Sequence, residues 1–178
     1  MKNVIPILLT LFGFYTITSC KQTKQEKEVP VENPSSSLMT ESIYDASKID
    51  PAAPVTEINL LATGNNMAEM KFNLTDIKVK SGCTVKLTLV NEATDASMQH
   101  NFVLIDLGSA DSVATKGLKA GMAENYVPKS KEVYVATGVT PPGKSTTITF
   151  PAPEKGLYEF ICSYPGHYKM MRGKFTVE

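Results

Sequence analysis

Cys162, His167 and Met171 share one short stretch, Cys162-Ser163-Tyr164-Pro165-Gly166-His167-Tyr168-Lys169-Met170-Met171-Arg172-Gly173, at Cys-x4-His-x3-Met spacing. The chain has 2 histidines, and the other, His100, lies far upstream in Met98-Gln99-His100-Asn101-Phe102-Val103-Leu104. A thiolate, two imidazoles and a weak axial thioether form the donor set of a blue-copper electron-transfer site. Thiolate favours copper over hard ions, imidazole serves both oxidation states, and a long thioether contact tunes the potential. If the four groups converge, the chemistry they support is one-electron transfer.

Other chemistries fit these residues less well. Zinc would accept two His and one Cys, but the missing hard or thiolate fourth ligand weighs against a structural zinc site. A Cys–His pair can act as nucleophile and base, yet no third orienting group or oxyanion-type glycine motif accompanies it. Nitrite or superoxide chemistry would need an open position or a second metal, and there are no spare histidines to build one. The chain therefore reads as a carrier and not an enzyme. Strand parity chooses between the two adjacent methionines. Met171 shares a face with Gly173, Phe175 and Val177, so Met171 points inward and Met170 away.

A rigid frame must hold such ligands, and the sequence from Val55 onward supplies β-strand periodicity. Val85, Leu87 and Leu89 alternate with Lys86 and Thr88, Ile148 and Phe150 with threonines, and Tyr158, Phe160 and Cys162 share one parity. Turn-forming runs separate these stretches: Thr63-Gly64-Asn65-Asn66, Lys80-Ser81-Gly82, Pro141-Pro142-Gly143-Lys144 and Pro153-Glu154-Lys155-Gly156. Short strands with regular turns indicate an all-β sandwich or barrel. Ser109 to Asn125 lacks alternation and reads as one short helical flap between strands.

Three regions follow: a signal peptide over 1–19, a tether over 20–54, and the β domain over 55–178. Lys2 and the apolar run from Val4 to Thr16 form a secretory signal too short to span a bilayer. Small and polar residues then lead to Cys20, an arrangement similar to a bacterial lipoprotein signal, in which that cysteine carries the lipid anchor. Lys21 to Pro54 is polar and proline-punctuated, too poor in apolar groups to bury a core.

The chain carries 18 basic and 18 acidic residues, and counting residues 51–178 gives 13 Lys/Arg against 12 Asp/Glu. That balance implies neither nucleic acid nor an anionic surface as partner, and docking must rest on apolar contact. Of 3 cysteines, Cys20 goes to lipid and Cys162 to metal. Cys83 then reads as a small buried hydrophobe near a strand start.

From about Ile58 to Glu178 the chain resembles the azurins, cupredoxins built as an eight-stranded Greek-key sandwich. The likeness lies in the Cys162–Gly173 loop, in Met98-Gln99-His100-Asn101-Phe102-Val103-Leu104, in Met70-Lys71-Phe72-Asn73 and around Gly121-Met122-Ala123. It implies copper held by His100, Cys162 and His167 in the equatorial positions, with Met171 axial and the Gln99 backbone carbonyl as a second, weak axial contact. Asn101 and the Tyr164 amide match groups that hydrogen-bond the thiolate and fix the loop. His167 would meet partners through a patch of Met70, Met98, Tyr164 and Pro165. Three departures stand out. Gln99 replaces a glycine, Phe102 occupies a position usually tryptophan, and Cys83 matches half of a family disulfide whose partner is missing near Ile58 to Leu61. The resemblance implies a carrier of single electrons in the bacterial cell envelope, serving cytochromes or a copper oxidase or reductase. The alternative is a store that delivers copper to an oxidase.

Overall fold

The computed structural model describes residues 46–178. The expected signal peptide, Cys20 and the tether as far as residue 45 lie outside the described residues. A 3-10 turn at Ala46–Lys48 precedes nine strands: β1 (Val55–Thr63), β2 (Lys71–Phe72), β3 (Asp76–Val79), β4 (Thr84–Asn91), β5 (Val103–Asp106), β6 (Val133–Ala136), β7 (Ser145–Pro151), β8 (Gly156–Ile161) and β9 (Arg172–Val177). One helix, α1 (Ala110–Ala120), and a 3-10 turn (Met122–Glu124) lie between β5 and β6, where the sequence lacks alternation.

Two mixed sheets form the sandwich. One runs β2-β1-β4-β7 and the other β3-β9-β8-β5-β6. Within them β1 is parallel to β4 and β3 to β9, while the other neighbours are antiparallel. Period-two patterning puts Val85, Leu87 and Leu89 of β4 fully inside while Lys86 stays exposed. Opposite them stand Phe160 and Phe175 of the second sheet. Phe160 sits between Phe72 and Phe102, with ring centroids 5.7 and 5.6 Å away, and burying each such ring contributes about 1.5–3 kcal/mol. Phe102 thus fills the centre where the resemblance led one to look for tryptophan. Cys83 is buried and unbridged, with the Thr56 hydroxyl donating to its sulfur at 3.4 Å.

Part of the second sheet, β5, β6 and the end of β8, is covered on both faces, which strict alternation did not anticipate. Helix α1 packs Ala110 and Val113 onto Val103, Ile105, Val133 and Ile161, making a second apolar cluster outside the main core. That is why Val103, Leu104 and Ile105 are buried in succession. Glu159 also faces this outer side. It is only 5% exposed, and it pairs with Arg172 while accepting the Gly108 amide.

The register of this sheet positions the functional residues. Val103 of β5 stands opposite Ile161 of β8, and Ile161 stands opposite Arg172 of β9. The residues just beyond these pairs therefore meet at one end of the sandwich: His100 to Phe102, Cys162 to Ser163, and Met171.

Candidate metal centre

Residues 162–171 join β8 to β9 in a loop tied down by its own backbone. The Cys162 amide donates to the Met171 carbonyl at 2.9 Å, continuing the ladder by one rung. The His167 amide donates to the Tyr164 carbonyl at 3.0 Å, and the Met170 and Met171 amides both donate to the His167 carbonyl, at 3.0 and 2.9 Å. Gly166 follows Pro165 with φ of 84°, a left-handed turn that glycine adopts without the steric cost other residues carry.

His100 comes from the other side. It pairs with Thr140 ahead of β7, donating its amide to the Thr140 carbonyl at 3.3 Å and accepting the Thr140 amide at 2.7 Å. Behind this bridge, fully buried Asn91 donates through Nδ2 to the Met98 and Thr140 carbonyls at 2.8 and 2.9 Å. Sequence reasoning missed Asn91. Its only trace is a polar residue closing the apolar face of β4.

The three donor atoms converge. His100 Nδ1 and His167 Nδ1 are 3.2 Å apart, and Cys162 Sγ is 3.8 Å from each. A point in their plane lies about 2.1 Å from all three, close to ordinary metal–imidazole bonds and slightly short of the metal–thiolate length. The three ligand atoms face one another in a buried pocket with His100 and Cys162 at 0% and His167 at 1% exposure, an arrangement that suits a cation between them. Met171 is fully buried and Met170 is 54% exposed, so the inward assignment by parity holds. The residues fit a copper ion.

Burial prepares the ligands electrically. Desolvation, helped by His167, lowers the His100 pKa to about 4, and desolvation lowers that of His167. Both imidazoles are therefore neutral and ready to coordinate at neutral pH. Burial pushes the Cys162 thiol up to about 12, against the backbone N–H groups of Asn101 and Tyr164, which donate to the sulfur. Those two donors are the residues expected to bond the thiolate. The Asn101 side chain also braces the loop: Oδ1 accepts the Ser163 amide at 2.8 Å and Nδ2 donates to Ser163 Oγ at 2.9 Å.

The surface around the loop differs from expectation. Met70 and Met98 are only 1% and 4% exposed, because each points into the sandwich core, so neither can supply much docking surface. Met67 is 50% exposed, and its Cε would lie 3.1 Å from a Cβ on Gly166. It joins Tyr164 and Pro165, both partly exposed, at this end. Gln99 is partly buried and donates its amide to the Ser97 carbonyl at 3.0 Å.

Comparison with known proteins agrees with this geometry. Residues 58–178 match the family described as copper binding proteins, plastocyanin/azurin family. Auracyanin-A of Chloroflexus aurantiacus is 37% identical over 129 residues, covering 71% of this chain and 76% of that protein. Azurin of Achromobacter denitrificans is 34% identical over 127 residues, covering 67% and 85%. The crystal structure of dithionite-reduced auracyanin from the photosynthetic bacterium Roseiflexus castenholzii superposes with a TM-score of 0.62 at 33% identity, covering 71% of this chain and 99% of that one.

Proposed function

The chain belongs to the plastocyanin/azurin family of copper-binding proteins, and from that membership we propose a specific setting for its electron transfer: single electrons pass between redox proteins of a bacterial cell envelope, with the domain tethered to a membrane through lipid on Cys20. The protein itself is a blue-copper electron-transfer protein and not an enzyme, with His100, Cys162, His167 and Met171 as its type 1 site. The observation that carries this is the convergence of two Nδ1 atoms and one Sγ, 3.2 to 3.8 Å apart, inside a buried β framework.

Bound there, copper supplies a one-electron Cu(II)/Cu(I) couple. The residues do the rest. The Cys162–Met171 rung and the His100–Thr140 bridge hold the donors on hydrogen-bonded sheet ends, a frame that limits rearrangement on a change of valence. The Asn101 and Tyr164 amides withdraw electron density from the sulfur. The Gln99 carbonyl, one residue before His100, is proposed as a weak axial contact. Its side chain is the departure from the azurin pattern that lies next to a ligand. Burial of all four ligand side chains speaks for retention of the ion and against exchange with a copper acceptor.

Partners dock, on this reading, over the loop end near His167, where Pro165, Tyr164 and Met67 replace the buried Met70 and Met98 as the contact surface. Cytochromes or a copper oxidase or reductase are the partner classes proposed. A small apolar patch with near-zero net charge suits brief encounters that must release quickly.

The test is spectral. Residues 46–178 loaded with Cu(II) should show an intense visible thiolate-to-copper band that dithionite bleaches and ferricyanide restores. Cys162→Ser should abolish the band and Cys83→Ser should leave it. A colourless protein that binds zinc equally well would refute the carrier. For the anchor, the full-length protein should partition into detergent, and Cys20→Ala should release it into the aqueous phase.

A further inference from the structure

We infer that Asn125, with the left-handed turn it shares with Tyr126, is a positioning residue of the copper centre, binding the segments that carry His100 and Cys162, and the segment that pairs with His100, into one unit. This rests on the carrier reading. Asn125 has φ 53° and ψ 27°, and Tyr126 has φ 57°. Asparagine enters this region readily, but a bulky tyrosine there is an outlier that surrounding structure must enforce.

The enforcement is visible. The Tyr126 amide donates to the Gly121 carbonyl at 2.9 Å. The Tyr126 carbonyl lies so close to α1 that a Cβ on Gly117 would stand 2.2 Å from its oxygen. Glycine within a helix weakens it. Here it admits the turn.

Two successive carbonyls of that turn reach the site. Asn125 O accepts Asn101 Nδ2 at 2.8 Å, and Tyr126 O accepts Ser163 Oγ at 2.8 Å. Asn101 and Ser163 are the residues directly after His100 and Cys162. The Asn125 side chain reaches a further segment that supports a ligand without carrying one, its Oδ1 accepting the Val139 amide at 3.0 Å, next to the Thr140 that pairs with His100. The Tyr126 ring meets Tyr164 edge-on at 5.2 Å, and the Tyr164 ring lies 4.9 Å from His167. None of the three hydrogen bonds touches a donor atom. Together they set the backbone whose amides bond the thiolate, so loosening the turn should weaken those bonds, leave the sulfur more electron-rich and lower the reduction potential.

The experiment compares Asn125→Ala with Asn125→Asp, which keeps an acceptor oxygen and tolerates the same φ, and with Val113→Ala, a buried change in the outer cluster. In copper-loaded protein, Asn125→Ala should shift the thiolate-to-copper band and lower the potential. In metal-free protein it should speed amide exchange at Ser163 and Val139 by about tenfold or more. Asn125→Asp should restore the band and both exchange rates. Val113→Ala should lose melting temperature and leave all of these unchanged. If Asn125→Ala does not fold, Asn125→Gly decides: it must free the Val139 amide and shift the band. The inference fails if the band and the two exchange rates stay at wild-type values, or if Val113→Ala moves them equally. A wild-type protein without the band would sink the carrier reading instead, and the metal-free exchange rates would still judge the turn.

Discussion

Cys162 and Met171 face each other across the last rung beyond β8 and β9, the Cys162 amide donating to the Met171 carbonyl at 2.9 Å. One backbone bond thus fixes the spacing between an equatorial and the axial ligand, and the next residue along, Met170, is turned 54% to solvent. Met171→Leu should therefore keep the blue band, since the three equatorial donors remain, but raise the reduction potential, because losing the axial donor for an apolar group leaves the more highly charged Cu(II) less stabilised than Cu(I). Met170→Leu should leave the potential unchanged. Voltammetry of the two variants checks this, and the swap costs less than about 1.5 kcal/mol, so both should fold.

Acid should weaken the metal-free protein through its histidines. Desolvation holds His100 at about 4 against an ordinary 6.5, and His167 is lowered as well. Between those values the unfolded chain binds protons that the folded chain refuses. Stability is thus complete above pH 6.5 and falls as pH drops through about 4. Melting temperatures of metal-free protein at pH 7.5, 5.5 and 4 should decline, and His100→Gln should flatten the slope. A wild-type protein with no decline over that span would contradict the prediction.

Loading should also release a proton. Burial keeps the Cys162 thiol protonated up to about 12, while the metal ligand is the thiolate. Calorimetry of copper binding at pH 7.5 in buffers of different ionisation enthalpy should count one proton released per ion, and none for Cys162→Ser.

Phe102 tests how closely the core is fitted. It is fully buried with its centroid 5.6 Å from that of Phe160. Phe102→Trp, the residue the azurin pattern would place there, adds volume to a packed centre and should destabilise by about 1–3 kcal/mol. Chemical denaturation measures it, and a gain in stability would show a void the packing does not suggest.

Much of this was legible beforehand because it rests on local period and donor chemistry. Val85, Leu87 and Leu89 announce the buried face of β4, and Phe175 and Val177 the face that turns Met171 inward. Cys162, His167 and His100 declared themselves by type, being few in the chain. What stayed hidden depends on how separate segments meet. Met70 and Met98 carry no signal that separates a rim from a core methionine, because the thioether suits both. Glu159 lies on the outward parity of β8, and only the Gly108 amide and Arg172, brought to it by the fold, explain its burial. Asn91 and Asn125 act by bonding distant backbone, so no pattern in their own strand or turn reveals them.

Glu132 offers a last test, because it docks α1 to the sheet. Its carboxylate accepts from Lys116, Ser130 and Ser112, and these bonds, Lys116 first, lower its pKa from 4.5 to about 2. A depressed carboxylate contributes stability that is present above pH 4.5 and lost as pH falls through about 2. Glu132→Gln should therefore melt lower than wild type at pH 7, with the gap closing as the pH approaches 2. Lys116 and Ser112 are both on α1, so the same variant should also speed amide exchange at Val113, whose amide donates to the Ser109 carbonyl at 2.9 Å. A gap that stays constant with pH would assign the effect to lost shape and not to lost charge.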